Sequence, residues 1–275
     1  VPTKNAVSNY EQEFYIDGIK VPGVTNIDGG YRISEEPINI IGKGFTYPLR
    51  QGPLVGNFNI NKYFVGKDIF LDYINDNSFN GSINYDNKNF GFSDGYLDQY
   101  SITAGIGRIP SSSVNITAYG GIGAGVDSSG SKTPPALEIV NQGSISLNTD
   151  GYQSNRISDF SYNIRINRNP IYKIGSNTPV QVDTAFPIVQ EMEVNMEIFQ
   201  YEIDNINNYI TSPKQHDVAL SLKNPINNNL IETFNIYNAR INNSSISSDA
   251  NGVLNVALSY IGYINRSDRF YSTNF

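Results

Sequence analysis

Between Gln190 and Phe199 the chain alternates strictly: Met192, Val194, Met196 and Ile198 are apolar, while Glu191, Glu193, Asn195 and Glu197 are polar. Such period-2 alternation predicts a half-buried strand with one wetted face. The stretch PLVGNFNINKYF from Pro53 repeats the pattern more loosely. There Phe58, Ile60 and Phe64 take the apolar side, Asn57, Asn59 and Asn61 the polar side, and Lys62 interrupts the apolar set. Downstream the period changes. Ile203, Ile206 and Ile210 are spaced by three and four before Pro213, which predicts a short amphipathic helix. Residues 68–77 predict its counterpart, with Ile69, Phe70, Tyr73 and Ile74 on one side.

These parallels extend along the chain. Arg32, Ile33, Pro37, Ile38, Ile41 and Gly42 match Arg165, Ile166, Pro170, Ile171, Ile174 and Gly175 at an offset of 133. Pro53 onwards matches Pro187 onwards at 134, Asp72-Tyr73-Ile74 matches Asn208-Tyr209-Ile210 at 136, and VNITAYGGI from Val114 matches LNVALSYIG from Leu254 at 140. Four blocks in one order predict a tandem duplication. The alternative is a set of strands of one large sheet sharing generic β composition. The expected domains are 1–120 and 137–275, with the Gly/Ser/Pro-rich stretch 121–136 as a flexible linker or exposed loop.

Each half also carries a long stretch after its Pro-Ile dipeptide, residues 42–52 and 175–187. Prolines fix φ and remove a donor, so both are expected as extended arms. Phe45, Tyr47, Pro48 and Arg50 in the first, with Pro179, Val180, Val182 and Phe186 in the second, are the candidate contact residues. An arm that docks on a neighbour and one that packs on its own domain both fit this pattern.

Composition supports the β reading. Aromatics reach 12%, mainly 19 Tyr and 14 Phe, and Asn takes roughly one residue in seven. With no Cys, thiolate chemistry and disulfides are excluded, and a single His216 excludes two-histidine metal sites. The net charge of −7 argues against sequence-independent nucleic-acid binding. No apolar run reaches a membrane span, and VPTKNAVSNY lacks a signal-peptide pattern, so cytoplasmic synthesis is the expectation.

His216, in SPKQHDVAL, has no accompanying nucleophile elbow and is expected in a turn facing solvent. Glu191, Glu193, Glu197 and Glu202 could supply a carboxylate pair, yet their regular alternation is that of a solvated sheet face. GGIGAG at 120–125 runs into Ser, Gly and Pro rather than a helix, so it does not read as a dinucleotide fingerprint. The expectation is no enzyme, no cofactor and no metal.

The stretch ISDFSYNIRINRNPIYKIGSNTPVQVDTAFPIVQEMEVNMEI resembles the tail tube proteins of tailed bacteriophages, best over 157–203 and less closely over 30–75, where GKG replaces Gly-Ser and the arm is shorter. The resemblance implies two tandem β-sandwich or barrel-like tube domains, each with a short flanking α-helix and a long projecting arm. It implies a virion protein made in a host bacterium's cytoplasm, whose partners are itself, other tail proteins (tape measure, terminator, tip) and DNA in transit, with no membrane. Rings would stack into a conduit, trimeric and pseudo-hexameric if the chain is duplicated and hexameric otherwise. Glu191, Glu193, Asn195, Glu197, Asn57, Asn59 and Asn61 would line the lumen, and the two arms would link rings. A tail-tip hub or tube-initiating ring protein, and a receptor- or carbohydrate-binding tail protein, are the alternatives.

Overall fold

Long strands dominate the computed structural model of the chain, which describes residues 12–39, 41–42, 46–75, 77–85, 88–138, 145–248 and 254–266, and the backbone alone over 34–39 and 46–51. The strands are β1 (Gln12–Ile16), β2 (Ile19–Lys20), β3 (Val24–Asn39), β4 (Thr46–Tyr63), β5 (Phe79–Tyr85), β6 (Lys88–Gly105), β7 (Ser111–Ala118) and β8 (Ile122–Ala124). They continue as β9 (Ile145–Thr149), β10 (Gln153–Ser154), β11 (Ile157–Ile171), β12 (Gln181–Ile198), β13 (His216–Lys223), β14 (Leu230–Ser248) and β15 (Leu254–Ile264). One α-helix, α1 (Ile203–Ile210), is present among the described residues. The protein is mainly β, and the fifteen strands among the described residues form one antiparallel sheet.

The pairings of the first half recur in the second. β2, β1, β5, β6, β7, β4 and β3 are neighbours in that order, and so are β10, β9, β13, β14, β15, β12 and β11. Irregularities recur too. The ladder between β6 and β7 skips Asp98 between Leu97 and Gln99, and that between β14 and β15 skips Asn242 between Ile241 and Asn243. The two halves meet where β11 pairs with the second half of β6, from Asp159 opposite Gly105 to Arg165 opposite Gln99.

Bulges bend strands, and here they let one strand serve two layers. The first halves of β6 and β14 pair with β5 and β13, and the second halves with β7 and β15. The outer strips fold back over the eight strands β3, β4, β7, β6, β11, β12, β15 and β14. Phe92 of β6 stacks on Phe58 of β4 at 4.5 Å, and Phe234 of β14 on Tyr162 of β11 at 4.9 Å. Gly262 on β15 permits this approach, since a Cβ there would lie 2.2 Å from the Ile236 side chain. Ile60, Tyr100, Val114, Ile164, Val194 and Leu258 fill the space between the layers, all fully buried.

Several expectations are corrected. The register pairs Val114 with Ile60 and Leu258 with Val194, so Val114 corresponds to Leu258 and the last block is offset by 144 rather than 140. The arms are not single extended loops. Residues 46–52 and 181–187 belong to β4 and β12, each paired with the preceding strand in a long hairpin. The helix expected over 68–77 is a 3-10 turn, Ile69–Tyr73, which buries Ile69 and Phe70. α1 buries Ile206 and Tyr209, whereas Ile203 is exposed. His216 is neither in a turn nor solvated: it is a buried strand residue, hydrogen-bonded through Nδ1 to Asp150 at 2.7 Å and packed on Tyr209. Most of 121–136 is exposed, as the loop reading has it, and the stretch is anchored at two points: Ile122–Ala124 pairs with β6, and the buried Ser128 donates to the Tyr15 carbonyl.

Candidate functional site: a polar sheet face and two hairpins

Alternation along eight neighbouring strands sends every second side chain away from the core. In β12 these are Glu191, Glu193, Asn195 and Glu197, and in β4 they are Asn57, Asn59 and Asn61. All seven residues singled out from sequence are exposed or half-buried, while their neighbours Phe58, Ile60, Met192, Val194, Met196 and Ile198 are buried. The join of β6 to β11 places both sets on one continuous face, with Gln99, Asn115, Asn163 and their neighbours between them.

The face is held by its own hydrogen bonds. Thr117 Oγ1 lies 3.3 Å from Asn57 Oδ1, while Asn115 donates to Gln99 at 3.3 Å, Gln99 to Asn163 at 2.9 Å and Asn163 to Glu191 at 3.1 Å. Asn195 donates to Asp159 at 2.6 Å. Arg165 lies 3.7 Å from Glu191, an exposed pair of small energetic weight. The carboxylates Asp28, Asp159, Glu191, Glu193 and Glu197 outnumber the guanidinium groups of Arg32, Arg165 and Arg240 on this face. Asp98, at the bulge, has its carboxyl pushed up by burial, against the Thr117 hydroxyl that donates to it and the nearby Arg168 charge. A surface of short, mutually satisfied amides and hydroxyls with an acidic excess presents few free donors to an anion.

Beyond this face each hairpin projects. From Asn167 opposite Ala185 to Ile171 opposite Gln181, β11 and β12 pair with each other alone, and β3 and β4 do the same from Glu35 opposite Arg50 to Asn39 opposite Thr46. Tyr47, Pro48 and Arg50 stand opposite Ile38, Pro37 and Glu35; Phe45 lies outside the described residues. In the second hairpin Val182 is buried, Phe186 and Pro179 are half-buried and Val180 is exposed, so these four residues do not form one apolar surface.

Sequence reasoning missed what stands at the tips and at the base. Ile41 and Ile174, each followed by a glycine at positive φ, are fully exposed. Their match was visible in the repeat, but a repeat alone does not say which matched residues remain uncovered. Arg168 anchors the second hairpin: it donates to the Leu97 carbonyl at 3.1 Å, to Thr184 at 2.6 Å and to the Asn75 carbonyl at 3.3 Å. Glu202 is engaged by Arg156 and by the Phe199 N–H, away from the other three glutamates.

A cavity of about 200 Å³ lies between the halves, lined by Leu71, Ile164, Ile188, Phe234 and Ile264 with Glu232 among them. Burial pushes the Glu232 carboxyl up to about 6, and its Oε2 has no hydrogen-bond partner. Among the described residues no group of three or more His, Asp or Glu side chains is placed to hold a metal ion. No family model matches the chain, and no curated protein matches it in sequence.

Proposed function

We propose that this protein is a structural, self-assembling tube subunit of a bacteriophage tail: two fused tube-type β domains whose polar sheet face lines a passage for DNA. The observation that carries the reading is the mainly polar face across eight strands, built from two halves that repeat the same strand order and the bulge at Asp98 and Asn242. A chain made of two equivalent units is suited to a ring in which three copies supply six units. Along the passage, the acidic and amide-rich wall would repel phosphates and let duplex DNA slide. The hairpins, with Ile41 and Ile174 at their tips, would bridge one ring to the next.

Negative-stain microscopy of the purified protein, with its mass in solution, tests this reading. Rings or tubes about 100 Å across, scaled from the size of such domains, are expected. A protein that stays monomeric at high concentration would overturn it. A tube reconstruction with Glu193 on the outer wall would overturn the assignment of the face.

A further inference from the structure

Among the described residues, the layer of eight strands β3, β4, β7, β6, β11, β12, β15 and β14 has two unpaired edges. β3 pairs only with β4, and the second half of β14, Arg240–Ser248, pairs only with β15. Their counterparts are not edges. β11, the counterpart of β3, pairs with the second half of β6, the counterpart of β14, and this is the internal joint between the halves. Side-chain burial records the difference. Ile164 and Ile102 in the joint are 0% exposed, whereas Tyr31 and Ile246 at the corresponding edge positions are 58% and 49% exposed. Residues 26–33 and 241–248 contain neither Pro nor Lys, the residues that commonly guard an edge against pairing.

We propose that the second half of β14 pairs antiparallel with β3 of a second copy of this chain, in the register of the internal joint. The proposal rests on the assembly reading above and adds the surface and its register. Carrying each joint residue to its counterpart sets Ile27 opposite Ser248, Asp28 opposite Ser247, Gly29 opposite Ile246, Gly30 opposite Ser245, Tyr31 opposite Ser244 and Arg32 opposite Asn243. No like charges oppose each other on the polar side, where Asp28, Gly30 and Arg32 meet Ser and Asn. On the core side the Phe58 ring covers Gly29, where a Cβ would approach it to 2.3 Å, so Ile246 of the added copy packs against that ring. Each copy offers one edge of each kind. The contact is therefore heterologous, and copies add head to tail until a ring closes and consumes both edges.

The chain has no cysteine, so introduced pairs are its only thiols. Gly30→Cys with Ser245→Cys, and Asp28→Cys with Ser247→Cys, report the proposed register; Asp28→Cys with Ser245→Cys reports a two-residue slip. Under mild oxidation the matched pairs are expected to give covalent ladders about tenfold more intense than the slipped pair, whose Cα atoms stand too far apart to bridge. Chains bearing only Gly30→Cys or only Ser245→Cys stay uncross-linked alone and form covalent dimers when mixed. Circular dichroism checks that each variant is folded; Gly30 is a safe position because a Cβ there meets nothing within 4 Å. Assemblies that form without the matched cross-links overturn this joint and leave the tube reading standing. Matched cross-links in chains that never build rings or tubes keep the joint and overturn the tube reading. Chains that never associate overturn both.

Discussion

Lys62 and Asp68 form an ion pair of 2.9 Å with both side chains almost wholly removed from water. Tyr100 and Ser112 also donate to Asp68 Oδ2, at 3.1 and 3.2 Å, and the Phe70 N–H reaches Oδ1 at 3.3 Å. The network ties β4, β6 and β7 to the 3-10 turn. The positions corresponding to Lys62 and Ser112 in the other half are Met196 and Val256, both buried and apolar. The first half therefore buries an ammonium and a hydroxyl where the second packs hydrocarbon.

Removing one partner strands the other charge in the core. Lys62→Met is expected to cost about 3–5 kcal/mol in denaturant melts. Combining it with Asp68→Asn should recover most of that loss, since no charge then remains and the amide oxygen still accepts from Tyr100. A double variant as unstable as Lys62→Met alone would contradict this account.

Lys62 also marks the limit of sequence reading here. Alternation placed it on the apolar face, and its polarity looked like a fault because its partner stands elsewhere in the chain. Residues 190–199 were legible because their signal is local and complete. The repeat was legible in blocks, but the insertion that moves its last offset to 144 was not, since strand register is set by ladder contacts between distant segments. The arms read as loops because Pro and Gly weaken strand propensity, whereas hairpin pairing between β11 and β12 overrides it. His216 was misplaced for a similar reason: Asp150 and Tyr209, which cover it, are remote in sequence.

Glu232 makes stability depend on pH. Burial is the main cause of its raised pKa, helped by the Asp68 and Asp72 charges and opposed by the Thr233 N–H and Lys67. A carboxyl whose folded pKa is about 6 against an ordinary 4.5 favours folding while protonated, and that contribution is lost as pH rises through 6. Glu232→Gln is expected to raise stability by about 1–2 kcal/mol at pH 8, with the gain fading to nothing by pH 4. Chemical denaturation of both proteins at the two pH values checks the sign.

Ile41 and Ile174 are fully exposed at the hairpin tips. Changing both to Asp should leave folding stability within about 0.5 kcal/mol, as for ordinary surface positions. Stacking of rings into tubes should be lost while single rings persist, read by microscopy and sedimentation. Tubes of normal length from the double variant would remove the hairpin tips from the ring-to-ring contact.

The acidic excess on the polar face makes the sharpest test of the passage. Glu191, Glu193 and Glu197 share one strand and one face, and reversing all three to Lys changes that face without touching the core side of β12. Assemblies of the unaltered protein are expected to release duplex DNA freely at low salt. Those of the triple variant should retain it, and the retention should fall steeply between about 50 and 200 mM salt as phosphate contacts give way to counterions. Folding should survive, since Glu193 and Glu197 are exposed and Glu191 is half-buried, although the Asn163 amide loses its acceptor on Glu191. Retention that appears only in intact assemblies, and not in dissociated subunits at the same concentration, places the reversed charges around a shared passage. Equal retention by dissociated subunits would mean an open surface, and the face would then have no claim to line a lumen.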